Sequence, residues 1–195
     1  DWSVVRIIDR APMVAGAKPK MVATWRGHLD QDLFAWKAAQ LAKYYHNALL
    51  AIEVNSLRSK TIEEDEGNHA MTVLDEISPY YDNLFYRTDP QKVAEGVPVD
   101  YGFHTNRKTK PMLVDMLKSS MRDDLYVEYD DIACDEADTY EIKEDGTYGA
   151  KDGCHDDVVM TSAGVLWLCF SYMDQPRVYE PGKGKSRKII NEASF

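Results

Sequence analysis

Segments with the composition of β-strands alternate with segments that carry a helical pattern along this 195-residue chain. Residues 3–9 and 20–27 are rich in β-branched and apolar side chains, and prolines and a glycine interrupt the span between them. They predict a hairpin. From Asp30, placed as an N-cap, the pattern becomes helical and predicts a helix that runs to about Asn47. Its apolar stripe consists of Leu33, Trp36, Ala39, Leu41 and Tyr44.

The later part of the chain continues this alternation. The further predicted elements are a buried strand at 49–54, a charged loop at 58–67, a helix at 68–77, a strand at 84–86, a loop at 89–101, a helix at 108–121, a strand at 125–128, a helix at 130–140, a hairpin turn at 144–146 and a helix at 156–173. We expect Thr105 to cap the helix at 108–121, and Met112, Leu113, Met116 and Leu117 to face inward. This order of elements favours one mixed α/β layer domain over residues 1–175, followed by a basic extended tail at 176–195.

Charge and cysteine content narrow the function classes. The chain has 23 Lys and Arg against 33 Asp and Glu, a formal net charge of -10, so any contact with nucleic acid must be local. Its three cysteines are odd in number and form no C-x-x-C pair, which argues against a disulfide framework and a zinc site and favours a reducing, intracellular setting. No apolar run approaches the roughly 20 residues of a membrane span, so we expect a soluble protein.

Glu53 stands at the end of the predicted buried strand at 49–54. A buried carboxylate is costly unless a partner compensates its charge. A salt bridge to Arg or Lys would do so, and a side chain that turns out to solvent would avoid the cost. The third possibility is a metal ion.

Asp156 and Asp157 stand where the strongly apolar helix at 156–173 begins. Capping of the helix and interaction with its dipole account for one such acid, but two adjacent acids exceed what a cap requires. Mg²⁺ and Mn²⁺ take oxygen ligands of this kind. Glu53 with one or both aspartates would suit a two-metal site for phosphodiester cleavage, which indicates a nuclease.

Three further features bear on this hypothesis. Arg107, Lys108 and Lys110 open the helix at 108–121 and could hold phosphates, although a solvated helix start explains them equally well. His155 is interpreted as a packing residue or a neighbour of the site rather than a zinc ligand, because no second Cys/His pair has the required spacing. The G-x-x-x-x-G-K-[ST] phosphate loop is absent from the sequence, so we do not expect the chain to hydrolyse ATP unaided.

Five ordered segments resemble the C-terminal nuclease domain of phage terminase large subunits: DWSVVRIID, TWRGHLDQDLFAW, YYHNALLAIEVNS, YGFHTNRKTKPMLVDML and DGTYGAKDGCHDDVVMTSAGVLW. The resemblance covers most of residues 1–173. It implies a ribonuclease-H-like fold, a mixed sheet flanked by helices, that cuts concatemeric double-stranded DNA with Mg²⁺ or Mn²⁺. Glu53 would then be the second acidic ligand, and Asp156 or Asp157 the third.

The resemblance also implies a first catalytic aspartate. In the family it lies on a strand with a Gly-x-Asp-x-x-x-Gly pattern, before the segment that begins here at Asp1-Trp2-Ser3. We expect that strand to lie upstream of Asp1, and the alternative is that Asp9 takes part of its role. Without that strand the chain alone could be inactive.

The partners implied by the resemblance are double-stranded DNA, the N-terminal packaging ATPase domain of the same polypeptide, the portal protein and the small terminase subunit. The implied place of action is the cytoplasm of a bacterial host, at the assembling procapsid, with no membrane contact. Two other interpretations stay open. One is a catalytically silent assembly module of the packaging motor, and the other is a resolvase-like or transposase-like nuclease of the same fold.

Overall fold

The structure is a computed structural model that describes residues 2–53, 74, 76–88, 90–96 and 101–177. The chain divides into two compact units. The first unit comprises Asp1–His28 and Arg107–Glu180, and the second comprises Leu29–Asn106 and Pro181–Phe195. No helix within the described ranges is both long and apolar enough to cross a membrane.

The described helices and strands confirm a mixed α/β chain. They are β1 (Ser3–Asp9), β2 (Lys20–Gly27), α1 (Gln31–Tyr44), α2 (Pro90–Ala94), α3 (Thr109–Arg122), α4 (Asp131–Asp138), β3 (Tyr140–Ile142), β4 (Tyr148–Ala150) and α5 (Asp157–Trp167). A 3₁₀ turn spans Ala11–Ala15, and a π-helical turn at Leu168–Tyr172 extends α5.

The predicted hairpin at the start of the first unit is confirmed. β1 and β2 pair antiparallel, from Ser3 opposite Gly27 to Asp9 opposite Lys20. Backbone hydrogen bonds of 3.0 Å on either side of Val127, with Met21 and Pro19, add the predicted strand at 125–128 as a short parallel neighbour of β2. The hairpin therefore lies beside the segment that leads into α4.

Helices α3 and α5 pack against each other in the core of the first unit. Leu113, Leu117, Val158 and Leu166 are buried there. Ser162 is buried as well, and its hydroxyl donates to the carbonyl of Val158 at 2.7 Å, so no polar group is stranded in this contact. The predicted inward face of α3 is partly confirmed. Leu113 and Leu117 are buried, but Met112 is exposed and Met116 is half-buried.

Two predictions around the helices of the chain are wrong. Lys108, and not Thr105, occupies the N-cap position of α3. The span predicted as a loop at 89–101 contains the short helix α2, because Pro90 is well suited to a first helical turn. The ends of α4 agree with prediction to within two residues. Helix α5 together with its π-helical turn runs from Asp157 to Tyr172, within one residue of the prediction at each end.

The second unit is built on α1, and the face it buries shares only Ala39 with the predicted stripe. The buried side chains are Ala35, Ala38, Ala39 and Ala42. Of the predicted stripe, Leu33 is 53% exposed and Tyr44 78% exposed. Small alanine side chains allow a close approach of neighbouring segments, and the larger apolar residues lie towards the opposite side.

Short strand pairings complete the second unit. Leu50 pairs with Leu84 and Glu53 with Phe103, both parallel, while Tyr86 pairs antiparallel with Tyr101. The predicted strands at 49–54 and 84–86 are thus confirmed as paired segments, with Val54 outside the described residues. The predicted loop at 58–67 lies outside them too. Of the predicted helix at 68–77, only Leu74, Glu76 and Ile77 are described, and they are helical.

Candidate functional site

Asp156 and Asp157 lie at the start of α5, as predicted. Asp156 occupies the N-cap position, yet its carboxylate accepts no capping hydrogen bond from the described N–H groups of the first turn. Asp157 is the first helical residue, and its Oδ2 accepts a long bond of 3.4 Å from the backbone N–H of Trp2. Both residues are half-buried. Helix capping, the simpler explanation for the two adjacent carboxylates, therefore does not account for them.

A different carboxylate caps α5. Glu136 on α4 is only 6% exposed, and its Oε2 accepts from the backbone N–H groups of Val158 at 2.7 Å and Val159 at 3.0 Å. These donors lack partners within their own helix, so a carboxylate opposite them is favourable in both hydrogen bonding and dipole interaction. Glu136 was not among the site residues predicted from the sequence. Its signal was an acid three residues after the buried Ala133, on the inward face of α4.

The hairpin contributes a cluster of rings and cations next to the aspartate pair. Trp2 stacks on His28 with 4.0 Å between ring centroids, and the Arg26 guanidinium lies 4.3 Å from the centroid of the Trp2 ring. Nη2 of Arg26 is also 3.8 Å from Oε1 of Glu136. Trp2 and Arg26 thus connect the hairpin to both Asp157 and the capping carboxylate.

His155 extends from the residue before the pair. Its Nδ1 is 3.9 Å from Oδ2 of Asp157, and its ring meets Trp2 edge-on with centroids 6.3 Å apart. The side chain is about half exposed. These contacts agree with the interpretation of His155 as a neighbour of the site.

The hairpin β3–β4 leads from α4 to the pair and places Tyr140 next to it. Burial, and then the negative charge of Asp156, raise the pKa of the Tyr140 phenol, which donates to the sulfur of Met160 at 3.0 Å. Tyr140 also stacks on Tyr148, and the Lys118 ammonium lies 4.6 Å from the centroid of the Tyr148 ring. Tyr140 therefore stays protonated and neutral close to the aspartate.

Glu53 belongs to the second unit, and of the three possibilities left open for its side chain the structure shows exposure to solvent. It pairs with Phe103 as predicted for a strand end, and Phe103 N–H donates to the carbonyl of Ile52 at 2.6 Å. However, Glu53 is exposed, so the expected cost of a buried carboxylate does not arise. The desolvation argument for a metal at Glu53 therefore does not apply, because its side chain reaches solvent.

The predicted phosphate-binding residues stand at the start of α3. Arg107 and Lys108 are exposed, and Lys110 is half-buried in the first turn. No acidic residue lies in that first turn, so the helix N-terminus adds its partial positive charge to theirs. Contact of these residues with DNA remains a prediction.

The first unit also contains a cavity of about 250 Å³ between α3, α4 and α5. Tyr126 and Cys134 line it, and the lining includes neither aspartate of the pair. Burial, followed by the charge of Glu128, raises the pKa of Tyr126 to about 12. The cavity is therefore a feature distinct from the aspartate pair.

The chemistry of the aspartate pair suits a hard divalent cation. Within the described ranges, no group of three or more His, Cys, Asp or Glu side chains is placed to hold a metal ion. Mg²⁺ does not require such a group, because it commonly binds one or two carboxylates and fills its other positions with water and substrate phosphate. Asp156 and Asp157 fit that donor set.

Comparisons with known proteins give a likeness in structure only. No family model matches the chain, and no curated protein matches its sequence. The fold is similar to that of the large terminase nuclease from the thermophilic phage G20c. The structure of that nuclease with bound magnesium aligns with a TM-score of 0.53 at 16% identity, over 85% of this chain and 74% of that chain. The structure with bound cobalt gives a TM-score of 0.52 at the same identity and coverage.

Proposed function

We propose that this chain is the metal-dependent endonuclease domain of a viral DNA-packaging terminase large subunit. The observation that carries the proposal is the likeness in fold to the large terminase nuclease of phage G20c over 85% of the chain. The two adjacent carboxylates at the start of α5 also support it, because Glu136 and not Asp156 caps that helix. In this proposal the fold is ribonuclease-H-like, with a mixed sheet flanked by helices.

The substrate is concatemeric double-stranded DNA, and the cofactor is Mg²⁺ or Mn²⁺. When bound, two such ions activate the attacking water and stabilise the leaving oxygen of an in-line cleavage. Asp156 and Asp157 provide carboxylate oxygens for the cation, and the family resemblance implies Glu53 as a further acidic ligand. Arg107, Lys108 and Lys110 bind backbone phosphates, with help from the N-terminus of α3.

The same proposal includes the cellular setting. The partners are the packaging ATPase domain of the same polypeptide, the portal protein and the small terminase subunit, at the assembling procapsid in the host cytoplasm. These partners follow from the family resemblance of the sequence. A silent assembly module would share them, so the experiment must measure cleavage.

The test is plasmid cleavage in Mn²⁺ by the chain and by a version extended upstream through the Asp-bearing strand that the resemblance implies. We expect the extended protein to nick and linearise the plasmid, and Asp157→Asn or Glu53→Gln to abolish cutting. Asp152→Asn is the matched control, because Asp152 is an exposed acid of the same loop. Cleavage that survives Asp157→Asn, or an extended protein that cuts nothing, would reject the nuclease.

A further inference from the structure

Glu136 accepts the hydrogen bonds that the side chain of the N-cap residue normally accepts at the start of a helix. The N-cap side chain usually accepts from the second or third N–H group of the helix. In α5 those groups belong to Val158 and Val159, and both donate to Glu136 Oε2, at 2.7 and 3.0 Å. Asp156 stands at the N-cap position without such a bond to the described first turn.

The other oxygen of Glu136 faces the hairpin. Glu136 Oε1 is buried and has no hydrogen-bond partner in the part of the chain that the structure describes, but the Arg26 guanidinium lies 3.8 Å away. Arg26 in turn lies over the ring of Trp2, whose backbone N–H reaches Asp157. Glu136 is therefore held on one side by the helix it caps and on the other by the hairpin.

We infer that Glu136 is a positioning residue for the aspartate pair: it caps α5 in place of Asp156 and so leaves the Asp156 carboxylate available to a divalent cation. The hydrogen bonds from α5 to Glu136 are seen in the structure, whereas the role of Glu136 in metal binding rests on the proposed nuclease function. Glu136 itself does not contact the cation.

Removal of Glu136 changes what Asp156 does. The N–H groups of Val158 and Val159 lose their acceptor, and Asp156 stands at the N-cap position, from which a carboxylate ordinarily accepts from these groups. A carboxylate turned back onto the helix no longer points its oxygens at a cation. Loss of a group that orients metal ligands typically weakens metal binding by about 10–100-fold.

The first experiment is a double-mutant cycle in thermal unfolding, without metal. Asp156→Ala alone should leave Tm nearly unchanged, but in the Glu136→Ala background it should lower Tm clearly, because Asp156 caps the helix only there. If Glu136→Ala does not fold, Glu136→Gln takes its place, since it weakens the cap while it keeps an acceptor oxygen. Equal effects of Asp156→Ala in both backgrounds would overturn the inference.

The second experiment measures Mn²⁺ binding by calorimetry, with all variants in the upstream-extended form used for the cleavage test, at a temperature where every variant is folded. Glu136→Ala should raise the dissociation constant about tenfold or more, with Glu136→Gln in between. Glu141→Ala, which removes an exposed acid nearby on β3, is the control and should change nothing. A merely structural role would lower Tm without moving the dissociation constant of the folded protein.

The two experiments separate this inference from the proposed function. One outcome is coupling in the unfolding cycle but no Mn²⁺ binding by any protein, including the unchanged one. It would reject the metal site and the positioning role, and it would leave the capping of α5 by Glu136 intact. Normal Mn²⁺ binding by both the unchanged protein and Glu136→Ala rejects the positioning role alone.

Discussion

Arg6 shows how single residues connect the hairpin to the rest of the first unit. Its buried guanidinium donates from Nη2 to both carboxylate oxygens of Glu128 at 2.7 Å. Glu128 also accepts from the backbone N–H groups of Tyr129 and Asp130, so its position just before α4 is fixed by three donor groups. Since Arg6 lies on β1, this pair joins β1 to the start of the helix that carries Glu136.

We predict that Arg6→Ala destabilises the protein strongly. Removal of one partner of a buried pair leaves the other charge uncompensated and typically costs about 3–5 kcal/mol. The measurement is the free energy of unfolding from urea titration. Arg122→Ala is the control, because Arg122 pairs with Asp123 at the exposed end of α3. Loss of stability no greater in Arg6→Ala than in Arg122→Ala would contradict the importance of the buried pair.

At the level of elements, α1 shows why periodicity predicts a helix better than it predicts the buried face. The sequence contains two apolar sets on this helix, the predicted stripe of mostly large residues and a face of alanines, and Ala39 belongs to both. Hydrophobicity favours the large residues, but the structure buries Ala35 and Ala38 and leaves Leu33 largely exposed. Periodicity alone could not decide between them, because both sets repeat at helical spacing and the buried face depends on which side the rest of the unit covers.

We predict that Ala35→Leu destabilises the second unit. Ala35 is 0% exposed, and added methyl groups in a packed site typically cost about 1–3 kcal/mol. Gln40→Leu places the same side chain on an exposed position of the same helix and should have little effect on stability. Thermal unfolding of both variants checks this. Similar Tm values for the two would show that the alanine face is not tightly packed.

At the level of the whole molecule, the net charge of -10 opposes DNA binding, so any approach to DNA must depend on a few local cations. Arg107 and Lys110 stand at a helix start that carries no acid in its first turn. Lys18 and Arg122, in the same unit, are each paired with a neighbouring aspartate. The two sets of cations therefore differ in their surroundings although their charge is the same.

We predict that Arg107→Ala/Lys110→Ala reduces the salt dependence of DNA binding. Each lost phosphate contact lowers the slope of log K against log salt by roughly 0.9, so the double variant should lose about 2. Lys18→Ala/Arg122→Ala removes the same charge and should leave the slope nearly unchanged. Fluorescence anisotropy with a duplex at several salt concentrations measures it. Equal changes in both variants would indicate a general charge effect instead of two contacts.

Local pattern was enough to predict the hairpin, most helix positions and the place of Asp156 and Asp157 at a helix start. Strand composition, helical periodicity and capping each act over a few neighbouring residues, so one sequence shows them. The exposure of Glu53 was one of three possibilities left open, because a short apolar run does not reveal how deeply its last side chain is buried. Whether Glu53 and the aspartates form one site stays a prediction.

The surroundings of the aspartate pair depend on contacts between parts of the chain that are far apart in sequence. Glu136 caps a helix that starts more than twenty residues later, and Trp2 reaches Asp157 from 155 positions away. No local pattern encodes such pairs, because they depend on how α4, α5 and the hairpin pack together. The sequence thus predicted that the two aspartates stand at a helix start. Only the tertiary structure showed that the carboxylate of Glu136 caps that helix.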